Sequence, residues 1–233
     1  MYARQSALVC LLCVCSCAAR SQTIDASRAD LVVYLKAGSS ASLAALDEMK
    51  QELWELMNPT GFRIAWRDAR SSTQIQASHV AVVELRGVCA PPRVDVRMAP
   101  AKQGLPLASS STSDGEVLPF SAIDCAALNR FLGPSLGKKA EAVRNFIYGR
   151  AMARLLAHEL YHVLAHTQEH TLAGIAKPSF SIKDLLAEHF GFERAALDKL
   201  RQPSGESGTP QRASVQASPR GDSSIGPESP AGQ

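Results

Sequence analysis

The chain has 233 residues, 45% of them hydrophobic and only 6% aromatic, which suits one ordinary domain with a mostly aliphatic core plus some extra segments. Its formal net charge of +3 is too small, and its basic residues too scattered, to argue for a nucleic-acid partner. There is no Gly-rich phosphate loop, no RNA-binding aromatic pattern and no internal repeat.

In chain order, Arg4 supplies a short positive region, and residues 7–19 (ALVCLLCVCSCAA) form an apolar stretch ending in small residues. That is the layout of a secretory signal, 1–19, and it is shorter than the roughly 20 apolar residues that span a bilayer. Cleavage after Ala19 would release a soluble exported chain, secreted or periplasmic. Alternatively, Val14-Cys15-Ser16-Cys17 is lipobox-like and would make Cys17 a lipid anchor, the one membrane attachment this reading offers. Four of the six cysteines lie in this leader, leaving Cys89 and Cys125, which an oxidising compartment invites into one disulfide. Neither has zinc-finger spacing, which excludes a cysteine-based structural zinc site.

Residues 30–36 (DLVVYLK) are rich in β-branched side chains and predict a strand. Ser39 and Ser40 can cap the next element, in which Leu43, Leu46, Met49, Leu53 and Leu56 follow helical spacing until Asn58-Pro59-Thr60-Gly61 stops it. Residues 62–66 (FRIAW) alternate as a half-buried strand does, and 79–85 (HVAVVEL) predict another. A short strand is expected at 105–108, an edge to which an extended peptide can pair, then a polar turn at 109–115 and a last strand or extended segment at 117–123. The pattern of 136–165 predicts a long helix, with Gly149 a soft spot inside it. A second helix is expected over 181–190, with Ser181 as N-cap and Asp184 as its box partner. Residues 201–233, rich in Pro, Ser and Gly, cannot bury enough apolar surface to fold and are expected to be a disordered tail. The expected fold of the 20–200 domain is α+β: a small mixed sheet with a packed helix, followed by a long helix that carries the chemistry and a C-terminal helical part.

The chemistry is His158-Glu159-Leu160-Tyr161-His162 on that long helix. Four residues is close to one turn, so both imidazoles project from one face and can share a zinc ion. Glu159 is offset by about 100° and stands beside the open coordination position, where it can take a proton from a water polarised by the metal. Three residues are candidates for the third protein ligand, in the order His170, Glu188, His166. If the helix ends near 165–168, the chain can turn and bring His170 back. Glu188 would reach in from the second helix. His166 on a straight helix would sit about 12 Å along the axis from His158, too far for one ion to take all three stacked histidines. Tyr161 reads as packing, Lys177 as an ordinary loop lysine and His79 as a strand-end residue.

HELYHVLAHTQEH resembles the zincin metallopeptidases, and its all-histidine version the metzincin branch. It is also similar to a group of exported bacterial proteins that follow HELYH with Thr and His, here Thr167 and His170, and then Gly-x-Ala-Lys-Pro, here Gly174-Ile175-Ala176-Lys177-Pro178. The resemblance covers mainly 154–190. It implies a zincin-like fold and an exported zinc metallopeptidase acting on a peptide or protein substrate, with His158, His162 and His170 on Zn2+ and Glu159 as general base. The alternative is a catalytically silent zinc- or peptide-binding relative. Ala165 and Gln168 stand where metzincins carry glycine and their third histidine, and the last methionine, Met152, precedes the motif.

Overall fold

The computed structural model describes residues 29–71, 77–92 and 106–202. The leader, Cys17 and the tail from 203 onward lie outside the described residues.

The fold is α+β. Strands β1 (Ala29–Lys36), β2 (Ile64–Asp68), β3 (Ala77–Arg86), β4 (Ala108–Ser113) and β5 (Glu116–Asp124) form one sheet in the order β2-β1-β3-β5-β4. The first four in that order run parallel, and β4 pairs antiparallel at the edge. Helix α1 (Leu43–Met57) connects β1 to β2, as a parallel pair requires. It starts where the Ser42 hydroxyl accepts from the Ala45 amide. It ends in a 3-10 turn, Asn58–Thr60, closed by Gly61 at φ 86°. One face of the sheet carries Leu31, Val33, Leu35, Ala81, Val83, Leu85 and Ile123 into the core.

The N-cap of α1 is Ser42 rather than the expected Ser39 or Ser40, and three further sequence expectations need correction. The strand expected at 105–108 is displaced: β4 occupies most of the expected polar turn, and the reversal is the two-residue Asp114-Gly115, both at positive φ. Asp-Gly is the dipeptide that a tight hairpin favours, and an edge strand with few apolar side chains shows no alternation to give it away. Next, the chain does not pass directly from β5 to the long helix. Asp124 caps a separate helix α2 (Cys125–Leu136), accepting from the Ala127 amide at 2.8 Å. Gly133-Pro134 looks like a breaker, yet Leu128, Leu132 and Leu136 bury one face of this helix. The long helix α3 (Glu141–Leu164) therefore begins later than expected. Finally, the helix expected over 181–190 is the single turn α4 (Ile182–Leu186), and α5 (Arg194–Arg201) follows. The expected capping box at Ser181 and Asp184 is present.

Helix α4 stops early because two arginines of α3 take the backbone carbonyls that would continue it. Arg154 donates to the carbonyl oxygens of Asp184 and Leu185, and Arg150 to those of Ala187 and Glu188. Both guanidinium groups also pair with Glu52 of α1 at 2.9 Å. Arg154 is fully buried, so it is tolerated only because its charge is matched and most of its donors are used. Cys89 and Cys125 form a disulfide that joins the loop after β3 to the start of α2 across 36 residues. In the chain-entropy account, such a loop gives about 3–4 kcal/mol.

At Gly149 helix α3 passes directly against the backbone of α1. A Cβ there would lie 2.5 Å from both the Ala45 carbonyl oxygen and the Glu48 Cβ, with the Met49 amide at 3.0 Å. In an open helix, Gly→Ala stabilises by about 1 kcal/mol. Here two helix backbones would have to separate, so Gly149→Ala is expected to destabilise by about 1–3 kcal/mol. Denaturant unfolding checks this, and an unchanged or raised midpoint would contradict the packing described.

Candidate metal centre

The last half of α3 is buried, His158, Glu159 and His162 included. It passes behind β5 and β4, so its motif sits under the antiparallel edge of the sheet. Within three residues of His162 the helix is over. Leu164 is its last residue, and His166 takes the left-handed conformation at φ 45°. The Thr167 amide then reaches back to the His162 carbonyl at 3.2 Å, the bond that closes a Schellman turn. This reversal carries His170 back over the helix, as expected for a helix that ends near 165–168. His166 lies on the turn with its side chain exposed.

His158, His162 and His170 offer ring nitrogens that all lie within 4.8 Å of one another. Such a cluster can hold a metal ion. Its internal bonding fits that use. His158 Nδ1 lies 2.7 Å from the Ile175 carbonyl oxygen, and His162 Nδ1 lies 2.7 Å from that of Thr167. A carbonyl only accepts, so both Nδ1 atoms carry the proton and both Nε2 atoms present a lone pair. The two Nε2 atoms are 3.1 Å apart. Tetrahedral zinc with nitrogens at about 2.0–2.1 Å holds a pair of them about 3.3–3.4 Å apart, so little movement is needed. Backbone carbonyls behind ligating histidines are the usual means of fixing tautomer and ring plane.

Electrostatics reinforces this. Burial pushes His158 down to about 4 against the raising effect of its bond to Ile175, and the neighbouring His162 and His170 lower it further. Burial also lowers His162. Both rings are therefore neutral near pH 7, which a ligand must be. Burial raises Glu159 to about 7, opposed by a hydrogen bond from Ser110. A cation beside it would favour its ionised form.

The turn that holds His170 is tied down on several sides. Gln168 donates to the Gly115 carbonyl at 2.9 Å, Lys199 pairs with Glu169 at 2.5 Å, and the Thr171 amide bonds to Ala176 at 2.9 Å. Gly174 has φ 71°, and a Cβ on it would lie 2.7 Å from the Gly191 carbonyl oxygen. The next residue, Ile175, donates its amide to that same carbonyl and offers its own to His158. The Gly-x-Ala-Lys-Pro stretch is thus the backing of the first histidine.

The other candidates fall elsewhere. Glu188 is exposed and outside the cluster, because its segment is held by backbone bonds to Arg150. Lys177 is engaged by Asp184 at 2.6 Å. Tyr161 is fully buried in the core, and His79 packs edge-on against Phe62. Sequence reasoning missed Ser110, whose hydroxyl donates to Glu159 Oε2 at 2.7 Å and lies 3.1 Å from the Ser121 hydroxyl. It is hidden in a Ser/Thr run that reads as a turn; the Asp114-Gly115 hairpin signal, if followed, places it on a strand facing α3.

No protein-family model matches the chain, and a comparison with curated proteins finds no match.

His166 and Gly174 make opposite predictions. A Cβ in the left-handed conformation costs about 1–2 kcal/mol, so His166→Gly is expected to raise stability by up to about 1 kcal/mol and leave metal binding intact. Gly174→Ala is expected to weaken metal binding without removing a ligand. Thermal melts and zinc titrations of both variants check this. Loss of metal from His166→Gly would overturn the ligand set.

Proposed function

We propose that the chain is an exported zinc-dependent hydrolase of peptide bonds, a zincin-like metallopeptidase. The observation that carries the reading is the convergence of two Nε2 lone pairs and His170 beside a buried glutamate that is adjacent in sequence to the first ligand. A donor set of three imidazoles suits zinc. His158, His162 and His170 would hold the ion. When bound, the zinc supplies Lewis acidity towards the scissile carbonyl and lowers the pKa of a water.

The rest is done by side chains of this chain. Glu159 accepts a proton from the attacking water and delivers it to the leaving amine. The Ser110 hydroxyl holds one oxygen of its carboxylate in place. A single anchor of this kind restricts the rotamer while leaving the second oxygen for the proton. Strand β4 has no neighbour on its outer side among the described residues, and it lies against α3 at the motif. An extended peptide added there would run past Glu159 by backbone pairing, with little demand on its sequence. Export is supported by the apolar leader and by the disulfide, which persists in oxidising compartments.

Glu159→Gln tests the mechanism. It keeps the size and hydrogen-bonding capacity of the side chain but removes the base. The expected result is loss of at least about 100-fold in hydrolysis of a mixed peptide library, with zinc content unchanged. Full activity in this variant would sink the proposal. Stoichiometric zinc with no turnover by the parent protein would favour the silent zinc- or peptide-binding alternative.

A further inference from the structure

A second candidate site lies where the parallel strands β1 and β2 end, beside the first turn of α1. The residues there enclose a cleft of about 480 Å³, within the range of small-molecule sites. It shares no lining residue with the histidine cluster. Leu35 and Leu46, both nearly buried, and the half-buried Trp66 give it an apolar lining. Leu43 also lines it and is 76% exposed, which extends the apolar lining to the mouth of the cleft.

The polar residues of the cleft are unbalanced. Lys50, Arg67 and Arg70 face a single carboxylate, Asp68, and Arg70 already holds that carboxylate through both of its oxygens at 3.1 Å. Among the described residues neither Lys50 nor Arg67 forms an ion pair. Lys50 Nζ stands 6.0 Å from the centre of the Trp66 ring, and Arg67, which also lines the cleft, donates to the main-chain carbonyl of Trp66 at 3.0 Å. The start of α1 adds to the excess. Its first turn contains no acidic residue to offset the partial positive charge of the helix end.

An apolar lining joined to two unmatched cations selects for a ligand with both features. A neutral apolar molecule would leave the charge uncompensated, and a small hydrophilic anion would leave the leucines and the indole in water. We propose that this cleft binds a small amphiphilic carboxylate, an aliphatic or aromatic acid whose head group is held by Lys50 and Arg67 and whose apolar body lies on Leu35, Leu46 and Trp66. The site stands independently of any metal chemistry on α3.

The chain has two tryptophans, and the other, Trp54, is exposed on α1, so a Trp54→Phe variant of the full chain reports on Trp66 alone. Octanoate and octan-1-ol share an apolar body and differ in charge. Titration with octanoate is expected to shift Trp66 emission saturably, with octan-1-ol about ten-fold weaker or more. Adding Lys50→Met and Arg67→Met is expected to weaken octanoate by about ten-fold and abolish the preference for the acid. The acid-versus-alcohol comparison is made with both cations intact, so it decides the matter whether or not the double variant folds. No saturable response to octanoate, or equal affinity for the alcohol in the parent, would overturn the proposal. Undiminished octanoate binding by a folded double variant would overturn it too.

Discussion

The crossing of α1 and α3 is the constraint on which the rest of the structure depends. At Gly149 the two backbones approach so closely that no side-chain carbon fits between them. That contact fixes the height and rotation of α3 against α1, and α1 is itself fixed between β1 and β2. A helix set this way by backbone contact has little freedom to roll. The next turn of α3 then uses its polar residues to organise the segment around α4. Arg150 and Arg154 meet Glu52 on α1 and, from the other side, the carbonyls at and beyond α4. Removing one partner from such a buried network costs about 3–5 kcal/mol, because a charge is left in the core. The arginines therefore hold the C-terminal segment to the first half of the chain.

The three-histidine cluster is built from that rigid base by one chain reversal. The turn at Ala165–Thr167 ends α3, supplies the carbonyl that orients His162, and sends His170 back toward the helix. A second loop, forced into shape by Gly174, supplies the carbonyl for His158. Neither histidine is aimed by another side chain. The two Nε2 atoms that result lie 3.1 Å apart in a place where burial disfavours protons, an arrangement suited to sharing a cation. Ser110 extends the arrangement to Glu159 from across the sheet edge, so the edge strand also positions the buried carboxylate.

Much of this is legible in the sequence where a local rule has no competitor. The His158–Glu159–His162 spacing, the strand at β1, the helix at α1 and the return of His170 all come from periodicity and chain geometry. The disulfide joins Cys89 and Cys125, the two cysteines outside the N-terminal apolar stretch. The features that are not legible depend on long-range partners. The true length of α4 is set by arginines about thirty residues earlier. The break before Glu141 is masked by apolar spacing that continues from α2 into α3. Strand β4 lacks an apolar pattern because it lies at the edge, and with it Ser110 is hidden. Gly149 looks like a soft spot because a sequence does not show what crosses above it.

Metal content is the most direct test of the three-histidine centre. Purified protein would be equilibrated with zinc, desalted and assayed by elemental analysis, beside His170→Ala, His166→Ala and Glu188→Ala. One zinc per chain is expected, lost on His170→Ala and retained in the other two variants. A parent protein that binds no zinc, or a His170→Ala variant that binds it as tightly as the parent, would contradict the assignment.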